Sequence, residues 1–128
     1  MDQAALVARE PDVEAGRKLI EALDEARLDI QAALWIYMPE IGEWRLMLAS
    51  SLVAQAGPKE VYQRIQSTLR ELELDISLKD VGLVTPESPL IKAFHGTTRV
   101  PPKMGKLRLV QTRVGNVFFE AAIVYRIP

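Results

Sequence analysis

Thirty-two consecutive residues, Ser88 to Phe119, contain no Asp or Glu and carry Lys92, Arg99, Lys103, Lys106, Arg108 and Arg113. His95, the only histidine in the chain, lies among them. Cations grouped without counter-charges can neutralise phosphates or other anions, and Trp35, Tyr37 and Trp44 could add stacking surfaces. Lys92, His95, Arg99, Lys103 and Lys106 are therefore the candidate anion-binding residues. Strand alternation predicts that Arg108 and Arg113, which differ in parity, face opposite ways and cannot share one patch. No ribonucleoprotein consensus, Gly-x-x-Gly clamp, zinc-finger spacing or glycine-rich phosphate loop accompanies the cations. Nucleic acid is thus the second reading of this stretch, not the first.

Other chemistry-bearing groups are sparser. Phe94-His95-Gly96-Thr97-Thr98 looks like the His-Gly-Thr element of ADP-ribosyltransferases, in which a histidine grips a nicotinamide dinucleotide. That resemblance implies a following tyrosine and then a late glutamate. Here Tyr125 is the only tyrosine after His95, and Glu120 precedes it, so the order departs from the family's. Ser50-Ser51 and Thr97-Thr98 offer hydroxyls without a Gly-x-Ser-x-Gly elbow or Ser-x-x-Lys motif, and turn chemistry accounts for them. Glu40 with Glu43, and Asp75 with Asp80, are spaced loop carboxylates that read as solvated charges.

Composition narrows the classes further. The chain has 128 residues, no cysteine and a net charge of −1. Disulfides and thiolate chemistry are excluded, and one histidine leaves a zinc site dependent on carboxylates, so no metal and no cofactor are expected. The charge is unevenly placed. Residues 1–87 hold nine Lys+Arg against sixteen Asp+Glu, a balance of −7, whereas residues 88–128 hold seven against one, a balance of +6. The two halves lying against each other would neutralise locally. The longest apolar run, Ala32 to Met38, is strand-sized, and the first residues lack the basic region of a secretory signal. Together these features predict a soluble, cytoplasmic protein with no membrane partner.

The elements that must position these groups follow from spacing. Residues 1–11 read as an N-terminal arm stopped by Pro11, and 12–128 as a single domain. Asp12 sits where an N-cap belongs, and Leu19, Ile20, Leu23, Ala26 and Leu28 recur at helical spacing through Val13–Leu28. Gly16 weakens that helix by up to about 1 kcal/mol relative to Ala. Ile30–Met38 and Trp44–Ala49 form a hairpin, the first strand apolar on both faces and therefore central. In the second arm Trp44, Leu46 and Leu48 share one face, with Arg45 and Met47 on the other. Pro58 opens a second helix with Val61, Ile65, Leu69 and Leu72 on one stripe. A short extended linker (Leu74 to Leu78), a brief strand (Val81 to Thr85) and a one- to two-turn helix after Ser88-Pro89 come next. Lys106–Val114 and Val117–Ile127 make a second hairpin around Gly115-Asn116, a type II′ signal. Its register places Val114, Thr112, Val110 and Arg108 opposite Val117, Phe119, Ala121 and Ile123.

The order α-β-β-α-β-α-β-β predicts an α+β two-layer sandwich: a five-stranded, mostly antiparallel sheet with helices on one face. No catalytic constellation emerges, so the chain reads as a non-enzymatic interaction or accessory module. An apolar fifth strand read as a sheet edge predicts pairing with a copy of itself or another protein.

Overall fold

The computed structural model describes residues 10–94 and 107–128. Its elements are α1 (Val13–Glu25), β1 (Ile30–Met38), β2 (Glu43–Ser50), α2 (Leu52–Ala56), α3 (Pro58–Leu72), β3 (Val81–Val84), α4 (Pro89–Lys92), β4 (Leu107–Val114) and β5 (Val117–Arg126). The sheet order is β3-β2-β1-β5-β4, with β2 and β3 parallel and every other pair antiparallel. The α+β class and the element order are those expected. The strand apolar on both faces, β1, is the middle strand, and the second hairpin has the predicted register. Only Gly115 of the turn pair has a positive φ (58°), as a type II′ turn requires.

The two long helices begin and end for visible reasons. The Asp12 carboxylate accepts from the Ala15 N–H at 3.0 Å. Helix α1 stops at Glu25, short of Leu28, because Arg27 turns left-handed and the Leu28 N–H reaches back to the Leu23 carbonyl. Pro58 occupies the first turn of α3, and Glu73, left-handed at φ 52°, closes it while the Leu74 N–H bonds to the Leu69 carbonyl. Of the expected ladder, Val61, Ile65 and Leu69 are buried, whereas Leu72 lies at the frayed end and is exposed. Where an extended linker was expected after α3, the chain makes a 3₁₀ turn at Leu78–Asp80.

The two sheet faces carry separate cores. On one, Leu19, Ile20 and Leu23 of α1 and Val61 and Ile65 of α3 pack on Trp35, Leu46, Leu48, Ile123 and Tyr125. On the other, Ile91 of α4 and Phe94 join Leu34, Ile36, Phe119 and Val124. The two long helices thus share one face, as expected, and the single turn of α4 sits on the opposite one. At the centre of that second face, Ala32 pairs with Ala49 and Ile36 with Ala122.

Gly16 has a packing reason that helix propensity does not reveal. A Cβ there would collide with the Tyr125 hydroxyl and lie 2.9 Å from Trp35 Nε1. The absent side chain lets α1 settle on a buried relay in which Trp35 Nε1 donates to the Tyr125 hydroxyl (2.8 Å), which donates to the Val13 carbonyl (2.6 Å). Burial pushes the Tyr125 phenol well above its ordinary range.

Two expectations about the second hairpin are corrected. Strand β5 lies between β1 and β4, so it is interior, and the edges are β3 and β4. The Arg126 guanidinium binds both Asp24 carboxylate oxygens, at 3.0 and 2.8 Å, and the Ile30 carbonyl at 2.8 Å, fastening β5 to the end of α1. The parity argument also fails. Leu107 and Leu109, at odd positions, and Val114, at an even one, all contribute to the second core. Gln111, left-handed at φ 44°, switches the faces between them. Arg108 and Arg113 consequently project from the same side of the hairpin.

Candidate functional site

Of the residues expected to form an anion site, Lys92 alone lies among the described residues. His95, Arg99, Lys103 and Lys106 lie outside the described residues. Lys92 is exposed at the end of α4. Arg108 is ion-paired with Glu10, which neutralises it locally. Arg113 is exposed and has no hydrogen bond or ion pair among the described residues. Trp35 is core, only 4% exposed, so it offers no open stacking face.

The serine hydroxyls hold loops together. Ser50 Oγ, fully buried, donates to the Leu28 carbonyl and accepts from the Leu52 N–H at 3.1 Å. Ser51 donates to Asp29, and Gln31 does the same at 3.1 Å. These bonds, led by that from Ser51, hold the Asp29 carboxyl below its usual range.

Asp75 and Asp80, with Asp12 and Glu43, border a hollow of about 340 Å³ beside Tyr37 and Trp44. The two rings meet edge to face, 5.5 Å between centroids and 62° between planes. Three of the carboxylates are already engaged: Asp12 caps α1, Glu43 lies 3.5 Å from Arg45, and Asp80 lies 3.5 Å from Lys79. Among the described residues no group of three or more His, Asp or Glu could hold a metal ion.

A second cleft of about 340 Å³ is mostly apolar. Its origin lies in the sheet. Strands β1 and β5 pair only from Ala33↔Arg126 to Ile36↔Ala122, and beyond that point they part. Residues 117–121 of β5 continue to pair with β4 alone. The gap is lined by Ile36, Met38, Met47, Leu90, Val117 and Phe119, with Phe118 at its edge and Glu40 and Glu120 among its lining carboxylates. Phe118 is 52% exposed, beside the fully buried Phe119. Gly115 holds the hairpin turn against α4. An added Cβ there would lie 2.9 Å from the Ala93 carbonyl oxygen, and the backbone is left-handed besides.

Sequence reasoning passed over this cleft, although one signal for it was present. Two adjacent phenylalanines on a strand must point to opposite faces, so one of Phe118 and Phe119 had to project outward. The parting of β1 from β5 has no such signal, because it depends on which strands become neighbours.

Comparison with known proteins found no matching family model, no similar curated protein and no similar solved structure. No helix among the described residues is long and apolar enough to cross a membrane.

Proposed function

We propose that the protein is a non-catalytic interaction module whose contact surface is the cleft between the parted ends of β1 and β5. The observation that carries this reading is a strongly apolar concavity with an aromatic ring, Phe118, left more than half exposed at its edge. Apolar pockets bordered by a few polar groups are where partner side chains bury most productively. Glu40 and Glu120 give the cleft a negative border, so the group it suits is an apolar or aromatic side chain accompanied by a cation. The hydroxyls of Ser50 and Ser51 are committed to structural bonds, which supports a role in binding rather than nucleophilic catalysis. Within the acid-free stretch of the anion-binding alternative, Lys92 and Arg113 are the unengaged cations among the described residues, and the described geometry favours the cleft.

The test is a titration with two small aromatic probes, benzamidine and benzoate, read by NMR at the Met38 and Met47 methyl groups. Benzamidine should shift both methyls in a saturable way, while benzoate, of like charge to the border, should shift them little. Methyls unmoved by benzamidine would overturn the reading.

A further inference from the structure

We infer that the hollow beside Tyr37 and Trp44 is a second binding site, and that it takes a quaternary ammonium group. The site is separate from the cleft between β1 and β5 and does not depend on how that cleft is read. Trp35, two residues before Tyr37 on β1, packs in the first core under α1. Strand alternation puts Tyr37 on the same face, and Trp44 is its direct partner across the β1–β2 ladder. Both rings stand beside the start of α1, whose cap Asp12 lines the same hollow, and both are left half-buried. The chain returning after α3 brings Asp75, Ile76 and Asp80 into the lining.

The rings meet edge to face at 62°, so they form a corner rather than a stacked pair. Trp44 Nε1 is buried and has no hydrogen-bond partner among the described residues, so the side-chain surface that Trp44 exposes is ring carbon. An aromatic face attracts a cation through its quadrupole and asks for no hydrogen bond in return. Dispersed carboxylates do not select a ligand by themselves, but here they add a field. Glu43 is met by Arg45 and Asp80 by Lys79, so the net negative charge at the hollow rests on Asp12 and Asp75. Asp75 makes no hydrogen bond or ion pair among the described residues.

The chemistry of the lining chooses among cations. Among the described residues no group of three or more His, Asp or Glu could hold a metal ion, so a hard cation that needs a shell of oxygens is poorly matched. A primary ammonium or a guanidinium brings several N–H donors, each seeking an acceptor. A quaternary ammonium brings none. It is a diffuse charge coated in methyl groups, and an aromatic corner in a negative field is its complement. The hollow, at about 340 Å³, is within the range of small-ligand pockets.

The chain has two tryptophans, so a nitrogen–proton correlation spectrum holds two indole signals, and that of Trp44 reports on the hollow directly. The full chain is titrated with choline, with ethanolamine, which keeps the charge but not the methyl groups, and with dimethylbutanol, which keeps the shape but not the charge. Choline should move the Trp44 signal in a saturable way and bind about fivefold or more tighter than either analogue. A short peptide carrying trimethyllysine is run beside choline. Whichever of the two binds tighter names the source of the group, and either result supports the inference.

Tyr37→Leu, with circular dichroism to establish its fold, should weaken choline binding by about fivefold or more. Asp75→Asn, at an exposed position where misfolding is not at issue, should weaken it by about twofold or more. A Trp44 signal unmoved by both choline and the peptide would overturn the inference. So would equal affinity for the three small probes, or choline binding indifferent to both substitutions. The Met38 and Met47 methyls report on the other cleft, so the two sites stand or fall separately.

Discussion

The two faces of the sheet are buried to a similar degree but by different means. The first is covered by α1 and α3, whose stripes of Leu19, Ile20, Leu23, Val61 and Ile65 meet large side chains such as Trp35, Leu48 and Tyr125. The second is built around alanines, Ala32, Ala49 and Ala122, and takes its bulk from Ile91 and Phe94, on and just after the single turn of α4, and from Phe119 and Val114 of the second hairpin. Large residues under long helices make a core with periodicity. Small residues let irregular backbone approach the sheet closely, at the expense of any repeating pattern. The cleft lies on the second side, where β1 and β5 stop pairing.

The most forceful way to break this comparison is to truncate one leucine on each face. Leu48→Ala and Leu34→Ala remove equivalent buried side chains, both 0% exposed, and each should cost about 2–5 kcal/mol in denaturant unfolding. A loss well under 1 kcal/mol for Leu34→Ala would mean that the second face is not a true core.

Next comes the hydroxyl relay on the first face. Tyr125→Phe strands both Trp35 Nε1 and the Val13 carbonyl, and should cost about 1–3 kcal/mol. It should also change the alkaline limb of stability. Because the folded phenol ionises above its ordinary value near 10, the folded state holds that proton more tightly than the unfolded chain does. The contribution is therefore complete below about pH 10 and is lost as pH rises towards the folded value. Unfolding measured from pH 8 to 11 should fall less steeply for Tyr125→Phe than for wild type, and identical slopes would contradict the burial argument.

Gly16→Ala sharpens the same point. The new methyl meets the Tyr125 hydroxyl, so overpacking should cost about 1–3 kcal/mol although Ala is the better helix former. Combined with Tyr125→Phe, which removes the clashing oxygen, the two losses should sum to less than their separate values. Strict additivity would show that the methyl finds room elsewhere. The smallest expected effect is Asp12→Ala, a loss of about 1 kcal/mol from the missing cap on α1.

Much of the first face was legible in the sequence. Asp12, Pro58 and the four-residue ladder state where its helices begin and which side they bury, because caps and periodicity are local signals. The register of the second hairpin was equally local, fixed by Gly115-Asn116. What could not be read depends on neighbours far away in the chain. That β5 is interior follows from its pairing with β1. The common side of Arg108 and Arg113 follows from one left-handed residue, Gln111, for which glutamine gives no warning. The cleft combines both problems: its walls come from β1, β2, α4 and β5, and its existence from where one ladder ends. The charge asymmetry between the halves was visible but not decisive, since Arg108 meets Glu10 and Arg126 meets Asp24 across it.

The position of β5 beside β1 also sets an order of assembly. Trp35 and Tyr125 are 90 residues apart in the chain, yet their bond lies at the middle of the sheet. On a ribosome, β1 and β2 emerge and can close their hairpin long before β5 exists. During that interval β1 has one unpaired edge and apolar side chains on both faces. A nascent chain halted before Val117 would therefore display the most aggregation-prone strand of the molecule with its partner still unmade.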